Sequence, residues 1–240
     1  MPPQTRIADK IITVPKTLPN HESLPILVTR YKVLRLTGLQ SDPATFTSTY
    51  ERESKFTHDT WTARFLNPLS RIFVAVFPDI PDPRQHNSGF HDSSQQQWDD
   101  VKRLVDIPWL GQLTLLGPVV APSRGGRPPW ELFKDIDFGK AAEEAKAIPP
   151  GSRVVYILVG MYVLPEGRGA GNGRRLVEAA ITAVYGETTQ KGVDATVVVL
   201  VAKHNLTAKR LYERVGFVSG GGTVDIEGEE NWALAMNVGN

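Results

Sequence analysis

The chain has 240 residues, enough to bury a full core with nothing that demands two independent domains, and its 27 Lys plus Arg against 26 Asp plus Glu leave a net charge of +1. That balance gives no general attraction to nucleic acid or to a membrane surface, and the lack of any cysteine excludes disulfides, thiolate zinc sites and a cysteinyl acyl-enzyme. The N-terminus is interrupted by Arg6, Asp9 and Lys10 and holds no apolar stretch approaching ~20 residues, so the expectation is a soluble cytoplasmic protein, one domain over residues 1–240.

In chain order, Lys10 to Val14 predicts a short strand, and Pro15 to Asn20 a loop. Leu24, Leu27, Val28, Tyr31 and Leu34 then fall on one helical face, opened near Ser23 and ended at Gly38. A second helical pattern runs from Thr57 to Leu66 around Trp61, and Arg71 to Val76 reads as a strand. Residues 78–106 turn to Pro, Gln, Ser, His and Asp, a composition that predicts an inserted loop with no core of its own. Trp109 to Leu116 is a strand with a turn at Gly117-Pro118, and residues 118–151 form a second inserted loop, with a helix between Asp137 and Ala147.

The most informative stretch follows. Val154 to Leu164 is apolar or glycine, rich in β-branched and aromatic residues, as suits a strand covered on both faces, and Pro165 ends it. Glycines at 167, 169, 171 and 173 let successive backbone N–H groups converge on one anion, and the helix that follows turns its positive end to the same point. Arg168, Arg174 and Arg175 add charge, although a solvated helix position explains Arg175 equally well. A ligand with two or more phosphates is implied. The dinucleotide fingerprint fails, because the sixth position is Asn172 counted from Gly167 and Arg174 counted from Gly169; no start supplies the P-loop spacing either.

Gly192 to Ala202 is another buried-strand run. In the segment from Asn205 to Phe217, Ala208, Leu211, Tyr212 and Val215 share one helix face, with Asn205 as cap and Gly216 as terminator. A strand from Phe217, a bend at Gly220 to Gly222 and a last strand near Trp232 to Val238 complete the chain.

Arg168-x-x-Gly171-x-Gly173 directly after a strand resembles the pyrophosphate-binding motif of the GNAT superfamily, the acetyl-CoA-dependent N-acetyltransferases. The segment from Asn205 resembles that superfamily's second motif, Asn-x-x-Ala-x-x-x-Tyr-x-x-x-Gly-Phe, at every named position. More weakly, Asp42 to Phe46, Tyr50 to Glu53 and Trp61 to Arg64 look like the helical region that walls the acceptor site in members acting on small molecules. The resemblance implies an α/β (α+β) GNAT fold: a central mixed, strongly twisted sheet of six to seven strands flanked by helices, with two insertions around the third strand.

It further implies acetyl-CoA as donor and an amine as acceptor, with no nucleic acid or membrane partner and no metal. A homodimer is compatible with it. The strand before the glycine loop is expected to bulge and expose backbone groups of Met161, Tyr162 and Val163 to the thioester, with a simple bend at Gly160 as the alternative. The cofactor set is Met161, Tyr162, Val163, Arg168, Gly169, Ala170, Gly171, Asn172, Gly173, Arg174, Asn205, Ala208 and Tyr212. The motif makes Tyr212 the candidate general acid, whereas its place on the apolar stripe alone would make it a core tyrosine. No glutamate stands on the strand from Tyr156 to Val163, where family members often keep one, so Glu53 is the catalytic-base candidate, with His58 and Asp59 behind it. His86 and His91 read as solvated loop residues.

The expected reaction is acetyl transfer to a primary amine of a small molecule such as an amino acid, polyamine or amino sugar. The alternatives are acetylation of a protein N-terminus or lysine, with an acidic groove near Glu227 to Glu230, and a catalytically silent acyl-CoA-binding module.

Overall fold

The structure, a computed structural model, describes residues 10–18, 20–77, 93–122, 127–226 and 228–239. Residues 78–92 of the first expected insertion, with His86 and His91, and Glu227 lie outside them. The elements in chain order are β1 (Lys10–Thr13), α1 (Ser23–Ser41), α2 (Tyr50–Glu53), α3 (His58–Phe65), β2 (Ser70–Val76), α4 (Ser93–Asp106), β3 (Trp109–Val120), α5 (Phe138–Lys146), β4 (Arg153–Val163), α6 (Asn172–Lys191), β5 (Asp194–Ala202), α7 (Leu206–Val215), β6 (Val218–Ile226) and β7 (Glu229–Val238). The seven strands form one mixed sheet in the order β1-β2-β3-β4-β5-β7-β6, in which β4 and β5 are parallel and every other neighbouring pair is antiparallel.

Alternation along the strands divides the core into two layers. Ile72, Val74 and Val76 of β2 face α1, α3 and α4, where Leu27, Val28, Trp61, Phe65 and Leu104 are buried. Phe73 and Ala75 face the opposite layer, filled by Leu176, Val177, Ala180 and Val184 of α6 and by Tyr212 of α7. Side chains define several helix starts. Thr57 accepts from the Thr60 N–H at 3.2 Å to open α3, and Asn205 accepts from the Ala208 N–H at 3.0 Å to open α7. Left-handed glycines at 192 and 216 end α6 and α7.

Several sequence expectations are corrected. The first helix runs past Gly38 to Ser41, because Gly38 serves close packing and not termination: a Cβ there would lie 2.9 Å from the Tyr162 ring. Strand β3 continues through Gly117-Pro118 to Val120, and β6 runs through the three glycines with a register shift between Ser219 and Thr223. Neither expected insertion is a coreless loop throughout. Residues 93–106 form α4, whose Val101 and Leu104 are buried, and the Pro129–Phe133 turn lays Trp130, Leu132 and Phe133 over Val155, Ile157 and Val198. Polar residues on the outer face of α4 hide an inward apolar stripe.

Because Leu104 has 0% exposure, Leu104→Ala is expected to destabilise the fold by about 2–5 kcal/mol. Urea denaturation measures it, and a change within 0.5 kcal/mol, roughly the scale of a surface substitution, would show that α4 is not part of the core.

Candidate active site

One extra residue in β4 opens the site. Gln112 of β3 pairs with Tyr162 and Thr114 with Val159, so two steps along β3 are matched by three along β4, and Gly160 at the irregularity has φ +64°. This is a bulge with glycine in the left-handed region. On the other edge, β4 and β5 pair from Arg153 and Asp194 as far as Leu158 and Val199, then part, while β5 continues against β7 to Ala202 and Asn231. The splayed strands enclose a cavity of about 1080 Å3 lined by residues 157–163 and 199–202, the glycine turn, one face of α7 and the connection after α1.

At one end of the wedge, Pro165–Gly167 makes a short turn and α6 begins at Asn172. Gly169 and Gly171 have φ +77° and +80°, and a Cβ at either would meet no atom within 4 Å. These two glycines form an open, left-handed cradle at the first turn of α6. The other two serve packing: a Cβ on Gly173 would lie 2.9 Å from Leu211 of α7, and one on Gly167 would crowd Val163 and Leu110 at 3.1 and 3.2 Å.

Every member of the expected cofactor set except Ala170 lines the cavity. Several of them also have other duties. Arg168 donates to the Val163 carbonyl at 2.9 Å and to Asp42 at 2.8 Å, a bridge that holds the turn against the end of α1. Its Nε and Nη2 are thus engaged within the protein, while the side chain remains part of the cavity wall. The Asp42 hydrogen bond correspondingly raises the Arg168 pKa and lowers that of Asp42. Asn172 is buried and donates to the Gly167 carbonyl at 2.9 Å, and Asn205 combines its cap with a place in the wall. Arg174 pairs loosely with Glu178 at 3.3 Å on the exposed first turn of α6, while Arg175 is not in the wall.

Tyr212 is 3% exposed, packs edge-on against Phe217 at 5.4 Å and directs its hydroxyl to the Met161 sulfur at 3.7 Å. Helix stripe and cavity wall are therefore the same position. Burial pushes the phenol's pKa well up, so it holds its proton throughout the neutral range.

Glu53 is corrected as a base. It is 1% exposed and lies outside the cavity wall. Its carboxylate takes Arg35 Nε and Nη2 at 3.1 and 2.7 Å and Arg64 Nη1 at 3.0 Å. Burial acts to raise its pKa, but the hydrogen bond and charge of Arg35, a hydrogen bond from Ser48 and the charge of Arg64 prevail and hold it below the usual carboxylate range. His58 and Asp59 are exposed at the start of α3 and also outside the wall. Of the expected acidic groove, Glu229 and Glu230 are exposed, and Glu230 pairs with Lys203 at 2.7 Å; among the described residues of that hairpin only Ile226 and Asn231 reach the cavity.

Sequence reasoning missed Arg35, Thr47, Arg210 and Arg214, all in the wall, whereas Asp42 stands there as the acceptor-side resemblance implies. A signal for Arg35 existed: Tyr31, Arg35 and Gly38 share one face of α1. Among the described residues there is no group of three potential metal ligands and no helix long and apolar enough to cross a membrane.

Residues 135–219 match the family described as acetyltransferase (GNAT) domain. Among solved structures, NAA60 of Arabidopsis thaliana, determined with a bisubstrate analogue and with acetyl-CoA, is 14% identical with a TM-score of 0.52 over 95% of this chain and 99% of that one. A putative acetyltransferase of Acinetobacter baylyi ADP1 is 12% identical with a TM-score of 0.50 over 99% of this chain and 95% of that one. No curated protein matches in sequence. The protein is thus an acyltransferase with the GNAT fold. Its GNAT acetyltransferase domain spans both sequence motifs, from the glycine turn to Phe217.

Replacing Glu53 by Gln would leave the buried Arg35 guanidinium without its counter-charge, at a cost of about 3–5 kcal/mol. A carboxylate with a depressed folded pKa contributes stability that is complete above its unfolded value of about 4.3 and lost as pH falls through the folded value. Glu53→Gln should therefore be less stable at pH 7 and lose less stability on acidification below about pH 4.3; equal acid sensitivity in chemical denaturation would show that the triad is energetically idle.

Proposed function

We propose that the protein is an N-acetyltransferase that moves the acetyl group of acetyl-CoA directly to a primary amine of a small molecule. The observation that carries this reading is the 3.7 Å approach of the Tyr212 hydroxyl to Met161, which places a protonated phenol beside the β4 bulge. A two-step route through a cysteinyl enzyme is excluded by composition.

The cradle fits a diphosphate, because a side chain at Gly169 or Gly171 would project into the space that the anion needs. The first-turn N–H groups of α6 and its dipole favour that charge, and Arg174, Arg210 and Arg214 stand along the same wall. The splayed segment of β4 from Met161 to Val163 receives the pantetheine arm, with Asn205 and Ala208 opposite. Bound acetyl-CoA supplies an activated acyl carbon and a thiol leaving group. An N–H released from the ladder at the bulge steadies the charge developing on the acyl oxygen. Tyr212 gives its proton to the departing sulfur, and the burial that weakens the phenol as an acid raises the sulfur's proton affinity as well. Among the described lining residues the only carboxylate, Asp42, is engaged by Arg168, so the amine proton leaves to solvent.

Gly171→Val should remove acetyl-CoA binding while preserving the fold, since a β-branched residue is strained at φ +80° and its side chain enters the cradle. Calorimetry with unchanged affinity would contradict the assignment of the cradle.

Tyr212→Phe keeps the ring that packs on Phe217 and removes only the oxygen. Acetyl-CoA affinity should persist and kcat should fall on the order of 100-fold, because the proton transfer matters mainly in the transition state. A folded Phe variant with full turnover would remove Tyr212 from the mechanism.

A further inference from the structure

Arg35 ends at the bulge with its hydrogen bonding incomplete. Nε and Nη2 are taken by Glu53, but Nη1 is buried and has no hydrogen-bond partner among the described residues. Two guanidiniums share one carboxylate, so the cluster of Arg35, Arg64 and Glu53 holds one positive charge too many. Arg64 can pass its share to water, being 40% exposed; Arg35, at 13%, cannot. A buried charged donor left in this condition is unfavourable unless a ligand completes it.

The position of Nη1 indicates where that ligand sits. A Cβ built on Gly160 would stand 3.9 Å from Nη1 and within 4 Å of no other atom, so the missing side chain leaves a space bordered by this nitrogen. The Phe46 ring lies over the guanidinium at 4.6 Å, and Thr45 and Thr47 continue the same wall. A ligand that reaches Nη1 must move Phe46 or slip beside it. Cationic acceptors find nothing comparable here, because Asp42 is already bound to Arg168.

We propose that the acceptor is a small amine that carries a carboxylate, and that Arg35 binds this carboxylate through Nη1 beside Gly160; the proposal rests on the acetyltransferase reading given above. Arg35 is then a specificity-determining residue and Glu53 a positioning residue that fixes the plane of its guanidinium. With the carboxylate anchored at the bulge, the neutral amine nitrogen forms a bond to the acetyl carbon as the carbon–sulfur bond breaks. The sulfur leaves with that electron pair and takes the Tyr212 proton, the nitrogen releases one proton to solvent, and the phenolate regains one from solvent. The products are the N-acetylated acid and free CoA. Polyamines and amino sugars lack the carboxylate, and in a peptide the group beside the N-terminal amine is a neutral amide.

The test measures thiol release from acetyl-CoA with three matched sets of acceptors: amino acids, their carboxamides and their decarboxylated amines. The acids should exceed both other sets by about 10- to 100-fold in kcat/KM, the range of a hydrogen bond to a charged group. Arg35→Gln should erase the difference by raising the acceptor KM, with the KM for acetyl-CoA unchanged. Because that variant leaves Glu53 with one partner fewer, the Arg35→Gln, Glu53→Gln double variant is measured beside it, and both are checked for cooperative unfolding. Wild-type turnover of amides or plain amines equal to that of the acids overturns the proposal while the acetyltransferase reading stands, as does a folded variant that keeps the preference for acids. Thiol release with none of the sets overturns the small-molecule reading itself and this proposal with it.

Discussion

Everything in this site depends on β4 and β5 ceasing to pair after Leu158 and Val199. Two parallel strands held in register to their ends would leave no room between them. The extra residue at Gly160 takes β4 out of step with β3, and a residue with a Cβ would resist the φ of +64° that the irregularity needs. Strand β5 does not follow β4 because its other edge is held by β7 to Ala202. One neighbour bends away while the other is pinned, and the cavity is the space between.

Two ionic ties then fix the walls. The bridge from Arg168 to Asp42 joins the glycine turn to the end of α1, and the pairing of Glu53 with Arg35 and Arg64 joins α2 to α1 and α3. They differ in kind. The first is half exposed, and its energetic weight is small in high dielectric. The second is buried, so its removal is felt as an uncompensated charge. The helical wall over the bulge is thus rigid where it meets the core and softer where it meets the turn.

The parts legible in the sequence are those encoded within one run of residues. The strand, glycine turn and helix from Val154, and the strand and capped helix from Gly192, carry period, cap and terminator side by side. What stayed hidden is what a distant partner decides. Arg168 in the sequence is an arginine among glycines; only the fold brings Asp42, 126 positions away, to its guanidinium. Glu53 reads as a candidate base until Arg35 and Arg64 converge on it. Gly38 reads as a helix terminator and Gly173 as part of the anion loop, but a Cβ at either would collide with Tyr162 or Leu211. The stretch at 93–106 escaped because average polarity concealed the inward spacing of Val101 and Leu104.

The strand order has a consequence for how such a chain comes together. Strand β7 lies between β5 and β6, although it follows both in sequence. Until it docks, β5 presents a bare edge of hydrogen-bonding groups whose residues, among them Val197, Val199 and Val201, are apolar and β-branched, the composition most prone to capture strands from other chains. In the folded chain β7 covers that edge from Ala195 to Ala202, so the segment around Trp232 to Val238 stands where a foreign strand would otherwise pair.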